Sequence, residues 1–118
     1  MSEKTILIID DEEDLRDTLK LTLEFEGYRC HTAANGKEGL EALERIPSPC
    51  VILLDLMMPV LNGWQFMEEL RAHPSTDQIP VVIITAFTKL TGAIRANDII
   101  RKPVETDLLL DVVKKYCA

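Results

Sequence analysis

A small set of polar residues stands directly after short apolar runs. Asp10 and Asp11 follow Thr5–Ile9, Asp55 follows Cys50–Leu54, Thr85 follows Pro80–Ile84, and Lys102 follows Asp98–Arg101. Carboxylates gathered in one crevice repel and raise one another's pKa unless a cation neutralises them. Every ligand atom on offer is a hard oxygen, with no His or Cys beside it in sequence. That set points to Mg²⁺, with water or phosphate completing its shell. A lysine next to such an ion holds a phosphoryl oxygen as a point charge. The Thr85 hydroxyl and the backbone N–H of Ala86 could hold others. Carboxylate nucleophile, metal, cation and hydroxyl donor are the parts for phosphoryl transfer onto an aspartate.

Each residue also has a plain structural reading. Asp10 or Asp11 could cap a helix. The acids from Asp10 to Asp14 could form a solvated face, and Glu13 and Asp14 are read that way. Thr85 suits a strand as a β-branched residue, and Lys102 suits a surface. Asp55 is different, because it ends the apolar run Val51–Leu54, where an unpaired carboxylate is costly. Gathering all of them at one place is nothing that burying a core requires.

The elements that must position them are legible in the same runs. Thr5–Ile9, Cys50–Leu54 and Pro80–Ile84 are continuous apolar stretches, Tyr28–Thr32 is a weaker alternating one, and Asp98–Arg101 is a fifth. Continuous runs mark strands covered on both faces, hence a parallel sheet. Leu15, Leu19 and Leu23 recur at helical spacing, with Gly27 where a C-cap belongs. Asn35-Gly36 opens a second helix with Leu40 and Leu43 on one face. Gly39 inside that helix costs about 1 kcal/mol against alanine on propensity alone. Asn62-Gly63 opens a third, with Trp64, Phe66, Met67 and Leu70 inward. A last helix from Glu105 to Tyr116 turns Leu109, Val112, Val113 and Tyr116 inward. The alternation predicts one α/β domain over 1–118: an open, doubly wound, five-stranded parallel sheet with right-handed crossovers and helices on both faces. In such sheets the ligand site lies beyond the carboxyl ends of the strands, where the named polar residues fall.

Composition narrows the function classes. The chain has 118 residues, 47% of them hydrophobic and 28% charged, enough for a core and too apolar for disorder. Acids outnumber bases 20 to 13 for a net charge of −7. No basic stripe offers itself to nucleic acid. No apolar run is long enough for a membrane span, and the polar start does not read as a secretory signal. Cys30, Cys50 and Cys117 are an odd set without metal-ligand spacing, read as buried thiols in a reducing cytoplasm. Phosphate-cradling G-x-x-x-x-G-K-[ST] and G-x-G-x-x-G loops are missing, so a nucleotide is not the expected phosphoryl donor. His31 and His73 are read as incidental. The chain ends on Val113–Ala118 without a linker, which favours a stand-alone regulator and leaves a domain cut from a longer chain as the alternative.

Ile9-Asp10-Asp11-Glu12, the run Leu54-Asp55-Leu56-Met57-Met58-Pro59-Val60-Leu61-Asn62-Gly63, Ile84-Thr85-Ala86 and Arg101-Lys102-Pro103 together resemble the receiver domain of two-component response regulators, over essentially the whole chain. The resemblance implies a flavodoxin-like sheet of order 2-1-3-4-5, and that Asp55 accepts a phosphoryl group from a phosphohistidine on a histidine kinase or histidine phosphotransfer protein. It implies Asp11 as a direct Mg²⁺ ligand, Asp10 acting through a bound water, and the Met57 carbonyl completing the protein's share of the metal shell. Thr85 and Lys102 would hold the phosphoryl group, and Lys102–Pro103 would be a cis peptide. A downstream protein target would read the result, with catalysis limited to the domain's own phosphorylation and its hydrolysis. This chain departs from the family in two places. Ile99 stands where the family usually has an aromatic switch, and Val104 follows the Lys-Pro pair where Phe is common. The stretch from Thr85 to Lys102 is also shorter by more than a helical turn. About eleven residues, 87–97, remain for the crossover, near the minimum of ~10–12 for a parallel connection with its helix. A fourth helix shortened to two turns or fewer, and mobile, is expected there. Two other readings stand beside phosphoacceptance: a receiver-fold binding module with phosphate-independent switching, and a small flavodoxin-like enzyme or cofactor binder.

Overall fold

The computed structural model describes residues 4–86 and 96–118. Five strands, β1 (Thr5–Ile9), β2 (Arg29–Ala33), β3 (Val51–Leu54), β4 (Val81–Thr85) and β5 (Asp98–Arg101), form one sheet in the order β2-β1-β3-β4-β5. All its pairings are parallel. The predicted order holds, and the strand limits move by one residue at β2, β3 and β4. Pro80 has no N–H to give a ladder; its carbonyl accepts from the Ile52 amide at 2.9 Å instead, and β4 begins after it. The short helix expected within 87–97 falls on residues 87–95, outside the described residues.

Continuous apolar strands have two faces to bury, and both are covered. Ile6, Ile8, Val51, Leu53, Val82, Ile84 and Ile100 pack under Leu19 and Leu23 of α1 (Glu13–Phe25) and Leu109, Val112 and Val113 of the C-terminal helix α4 (Thr106–Tyr116). The alternate residues Leu7, Ile9, Ile52, Leu54, Val81 and Ile83 meet α2 (Gly36–Leu43) and α3 (Gly63–Ala72). Asn35 caps α2 by accepting from the Glu38 amide at 2.9 Å. Asn62 and Gln65 form a reciprocal capping box on α3. Gly27 closes α1 at φ 96°, a left-handed position suited to glycine.

Trp64 departs from the expected inward set: it is 36% exposed, whereas Phe66, Met67 and Leu70 are buried. Gly63 sets the face. A Cβ there would lie 2.7 Å from the Asp55 carbonyl oxygen and from the Leu56 Cα, so α3 seats on the loop after β3 through its glycine. Residues three, four and seven positions on then point inward, and Trp64 is left on the flank. Tyr116 is half-buried, its hydroxyl donating to the Asn97 carbonyl at 3.1 Å.

The cysteines need a correction. Cys30 is a buried thiol, its pKa pushed up to about 12 by burial. Cys50 and Cys117, however, are joined in a disulfide across 67 positions. The start of β3 and the end of α4 meet at the sheet edge opposite the aspartates, with Cα atoms 5.3 Å apart. An odd count of cysteines hides such a pair, because only the fold brings the two together.

Cross-linking so long a loop is worth up to about 4 kcal/mol through the unfolded chain. Reduction with excess dithiol should lower the denaturant midpoint, and Cys117→Ser should match it without reductant. Equal midpoints in oxidised and reduced protein would show that the bond adds no stability. Gly39→Ala should also destabilise, despite alanine's helix propensity, because its Cβ would sit 2.5 Å from Ile9 Cδ1 in the core.

Candidate functional site

Strand register brings the acids together. Ile9 is paired with Leu54, so the next residue on each strand, Asp10 and Asp55, emerges at the same level. The Asp55 amide donates to the Ile9 carbonyl at 2.9 Å. In the order β2-β1-β3, the chain leaves β1 into α1 on one face of the sheet and β3 toward α3 on the other, and the crevice opens between β1 and β3. One carboxylate oxygen each of Asp10, Asp11 and Asp55 lies within 4.8 Å of the others. Asp10 and Asp55 are buried, and Asp11 is exposed.

Lys102 arrives from the other side of the sheet. Thr85 is paired with Arg101, and the Lys102 amide donates to the Thr85 carbonyl at 2.9 Å. The Lys102–Pro103 peptide is cis, as the resemblance implies. The lysine Nζ lies 2.9 Å from Glu12 Oε1, 3.1 Å from Asp10 Oδ2 and 3.5 Å from Asp55 Oδ2. Thr85 is fully buried at the end of β4, and Ala86 beyond it is exposed. Met57 donates its amide to Asp55 Oδ1 at 3.4 Å. Ile99 is 44% exposed on β5.

Local turns explain the acids' poses. Neither Asp10 nor Asp11 is the cap of α1; that position is Glu12, whose side chain makes no cap bond. Asp10 Oδ1 accepts from the Glu12 amide at 2.8 Å, turning the chain into the helix, while Arg16 holds the Asp10 carbonyl at 2.8 Å. Glu13 and Asp14 are exposed in the first turn, where the helix dipole favours acids. Neither histidine belongs to the cluster.

Charge dominates the electrostatics. Burial first, and then the neighbouring Asp10 charge, push the Asp55 pKa up to about 6 against the pull of Lys102. Burial also raises Asp10, opposed by the Glu12 amide and Lys102. Burial pulls Lys102 down, but the hydrogen bonds of Glu12 and Asp10 and the charges of Asp10 and Asp55 outweigh it, so the ammonium is held well above its ordinary value. One ammonium facing Asp10, Asp11 and Asp55 leaves the crevice short of positive charge. An all-oxygen, acid-rich donor set suits Mg²⁺.

Every residue singled out at the strand ends therefore reaches one edge. Glu12 was missed. It lies 90 positions from the lysine it binds, and only its place after the acid pair could have drawn attention to it.

A doubly wound sheet with acids, a buried threonine and a lysine at its switch point is the architecture of a phosphoryl-handling signalling domain. A family model for the response regulator receiver domain matches residues 6–114. The chain is 36% identical over 118 residues to protein PilH of Pseudomonas aeruginosa, covering 96% of this chain and 97% of that one. It is 41% identical over 115 residues to the uncharacterized transcriptional regulatory protein YkoG of Bacillus subtilis, covering 93% of this chain but 49% of that protein. Among solved structures, the receiver domain of a Pseudomonas aeruginosa sensor histidine kinase, with magnesium coordinated in its active-site cleft, superposes with a TM-score of 0.87 at 25% identity, covering 98% of each chain. The chain belongs to the response regulator receiver domain family of two-component signalling. It thus spans nearly the whole of some relatives and about half of others. With the polar set complete at one edge, a phosphate-independent binding module is not favoured. Among the described residues, no helix is long and apolar enough to cross a membrane.

The raised Asp55 pKa has a pH signature. Its folded value of about 6 lies above the ordinary aspartate value of 3.8, so the folded state binds the extra proton between those limits. Stability from this group is full below the lower value and is lost as pH rises through the upper one. In metal-free buffer, Asp55→Asn should therefore raise the unfolding free energy at pH 7.5 by about 1–3 kcal/mol. The advantage should shrink as pH falls from 6 toward 4. A gain independent of pH would place its origin elsewhere.

Proposed function

We propose that 1–118 works as one receiver unit in which Asp55 is the phosphoacceptor. The carrying observation is a buried carboxylate at a strand end, with Lys102 at 3.5 Å and Asp10 and Asp11 oxygens within 4.8 Å. An Asp55 oxygen attacks the phosphorus of a phosphohistidine on a histidine kinase or histidine phosphotransfer protein. The P–N bond breaks, the imidazole leaves and takes a proton, and an aspartyl phosphate remains. Hydrolysis later returns the carboxylate and inorganic phosphate, so the domain catalyses only its own phosphorylation and dephosphorylation.

Asp11 and Asp55 would hold Mg²⁺ directly with the Met57 carbonyl, and Asp10 would act through water. When bound, the ion neutralises the carboxylates and offsets charge on the phosphoryl oxygens. Thr85 and the Ala86 N–H receive phosphoryl oxygens, and Lys102 passes from the carboxylates to one of them. Ile99 occupies the switch position. It offers shape but no hydroxyl, so its signal to a downstream protein target rests on packing alone. Neither nucleic acid nor membrane is a direct partner on this reading. The cytoplasm is the setting proposed.

Asp55→Asn should abolish acid-labile phosphate uptake from acetyl phosphate and leave the fold intact; full uptake would sink the assignment. Excess EDTA should stop uptake, and Asp11→Ala should weaken Mg²⁺ binding more than Asp10→Ala. Lys102→Ala should still bind metal, but should lose most of the chemical-shift changes that beryllofluoride produces in wild type.

A further inference from the structure

The ammonium of Lys102 has three N–H donors, and it faces three carboxylates. Glu12 is nearest at 2.9 Å, Asp10 follows at 3.1 Å, and Asp55 is farthest at 3.5 Å. The donors are therefore all engaged, and a phosphoryl oxygen reaching the lysine must displace one partner. The partners differ in what displacement costs. The Asp10 side chain is 3% exposed, and stripping a buried carboxylate of its cation is costly; Asp55 gives up its free carboxylate when phosphorylated, so the phosphoryl oxygens take over its place beside the lysine. The Glu12 side chain is 60% exposed, so water takes over the vacated oxygen. Among the described residues, the Glu12 side chain holds nothing else: it stands at the N-cap of α1 without making a cap bond, and reaches across to the lysine after β5 instead.

We propose that Glu12 is a positioning residue that parks Lys102 away from the phosphoacceptor, and that the phosphoryl group replaces Glu12 on the lysine. This rests on the reading of Asp55 as phosphoacceptor. Glu12 then acts as a brake. Its ion pair must open before the lysine can stabilise the incoming charge, and the pair is strong enough to matter yet exposed enough to open. Exposed pairs of this kind correspond to about a two- to fivefold change in an equilibrium or rate.

The test uses the full chain with Mg²⁺ and acetyl phosphate, a small donor that needs no partner surface. Rates of acid-labile phosphate uptake are compared for wild type, Glu12→Gln, Glu12→Asp and Asp55→Asn. Glu12→Gln keeps the length and removes the charge, and it should take up phosphate about two- to fivefold faster. Glu12→Asp keeps the charge but is a methylene too short to hold the ammonium, and it should be accelerated as well. Acceleration in Gln but not in Asp would mean general repulsion of the anionic donor and would overturn the parking role. Unchanged or slower uptake in Glu12→Gln would overturn it too. Without any donor, the Lys102 ammonium protons, followed by NMR, should exchange with water faster in both Glu12 variants than in wild type. Equal exchange would show that Glu12 does not hold the lysine. If wild type itself takes up no phosphate, or Asp55→Asn takes up as much, the phosphoacceptor reading falls and the brake with it. Normal uptake on Asp55 with no effect of Glu12 removes the brake alone.

Discussion

Carboxylate crowding at the mouth of β1 and β3 is the constraint around which this structure is organised. Asp10, Asp11 and Asp55 bring oxygens within 4.8 Å of one another beside a dry core. Charges placed so close interact far more strongly there than in water. The elevated pKa of Asp55 reflects its burial first and the neighbouring Asp10 charge second. Lys102 relieves part of the repulsion, and a divalent cation is suited to relieve the rest. A site under such tension gains from any group that brings positive charge, which suits it to a divalent cation.

Holding like charges together takes rigid supports, and the fold supplies them on every side. Parallel register sets Asp10 beside Asp55. The β4–β5 pairing sets Thr85 beside the lysine's own strand. Behind Asp55, α3 sits so close through Gly63 that no side chain fits between them. Val60, in the same loop, adopts φ 69°, an uncommon conformation for a β-branched residue. The Leu61 amide bonds the Pro59 carbonyl across it at 2.8 Å, closing a tight turn. Strain of this kind persists only where surrounding packing over-determines the backbone. Here the capping box on α3 and the buried Leu56 do so from either side.

Much of this was legible in the chain because the periods were clean. Runs such as Ile6–Ile9 and Val81–Ile84 admit only strands buried on both faces, and a polar residue ending each run marks the edge where chemistry collects. What escaped reading depends on distance in space. Trp64 has the spacing of a core residue, but a glycine's close approach rotates α3 about its axis. Cys50 and Cys117 pair only because the end of α4 reaches the start of β3. Glu12 looks like one more acid in an acidic run; its meaning comes from a lysine on a different strand. Contacts between residues near in sequence follow local rules, and those between distant ones need the fold first.

Lys102 joins these observations into one chain of cause. Its backbone is bonded to Thr85 at 2.9 Å, and its side chain spans from the acids of β1 to that of β3. Immediately after it the chain turns through Pro103 and Val104 into α4. The far end of α4 is tied back to β5 by Lys115 and Tyr116, which both bond the Asp98 carboxylate. Asp98 is held ionised chiefly by the Lys115 hydrogen bond, against a small burial penalty. On the proposed function, a shift of the lysine's head group would act on a strand and helix clamped at both ends, and so would reach their shared surface. On that surface Ile99 is an exposed apolar side chain with no polar atom to trade. A partner can read it only by shape and by burial. Recognition of that kind depends on the area covered and so tolerates small displacements, whereas the ammonium's choice of oxygens does not. On the proposed function, the discriminating step accordingly belongs to the lysine at the acid cluster, and the outer face would transmit a choice made there.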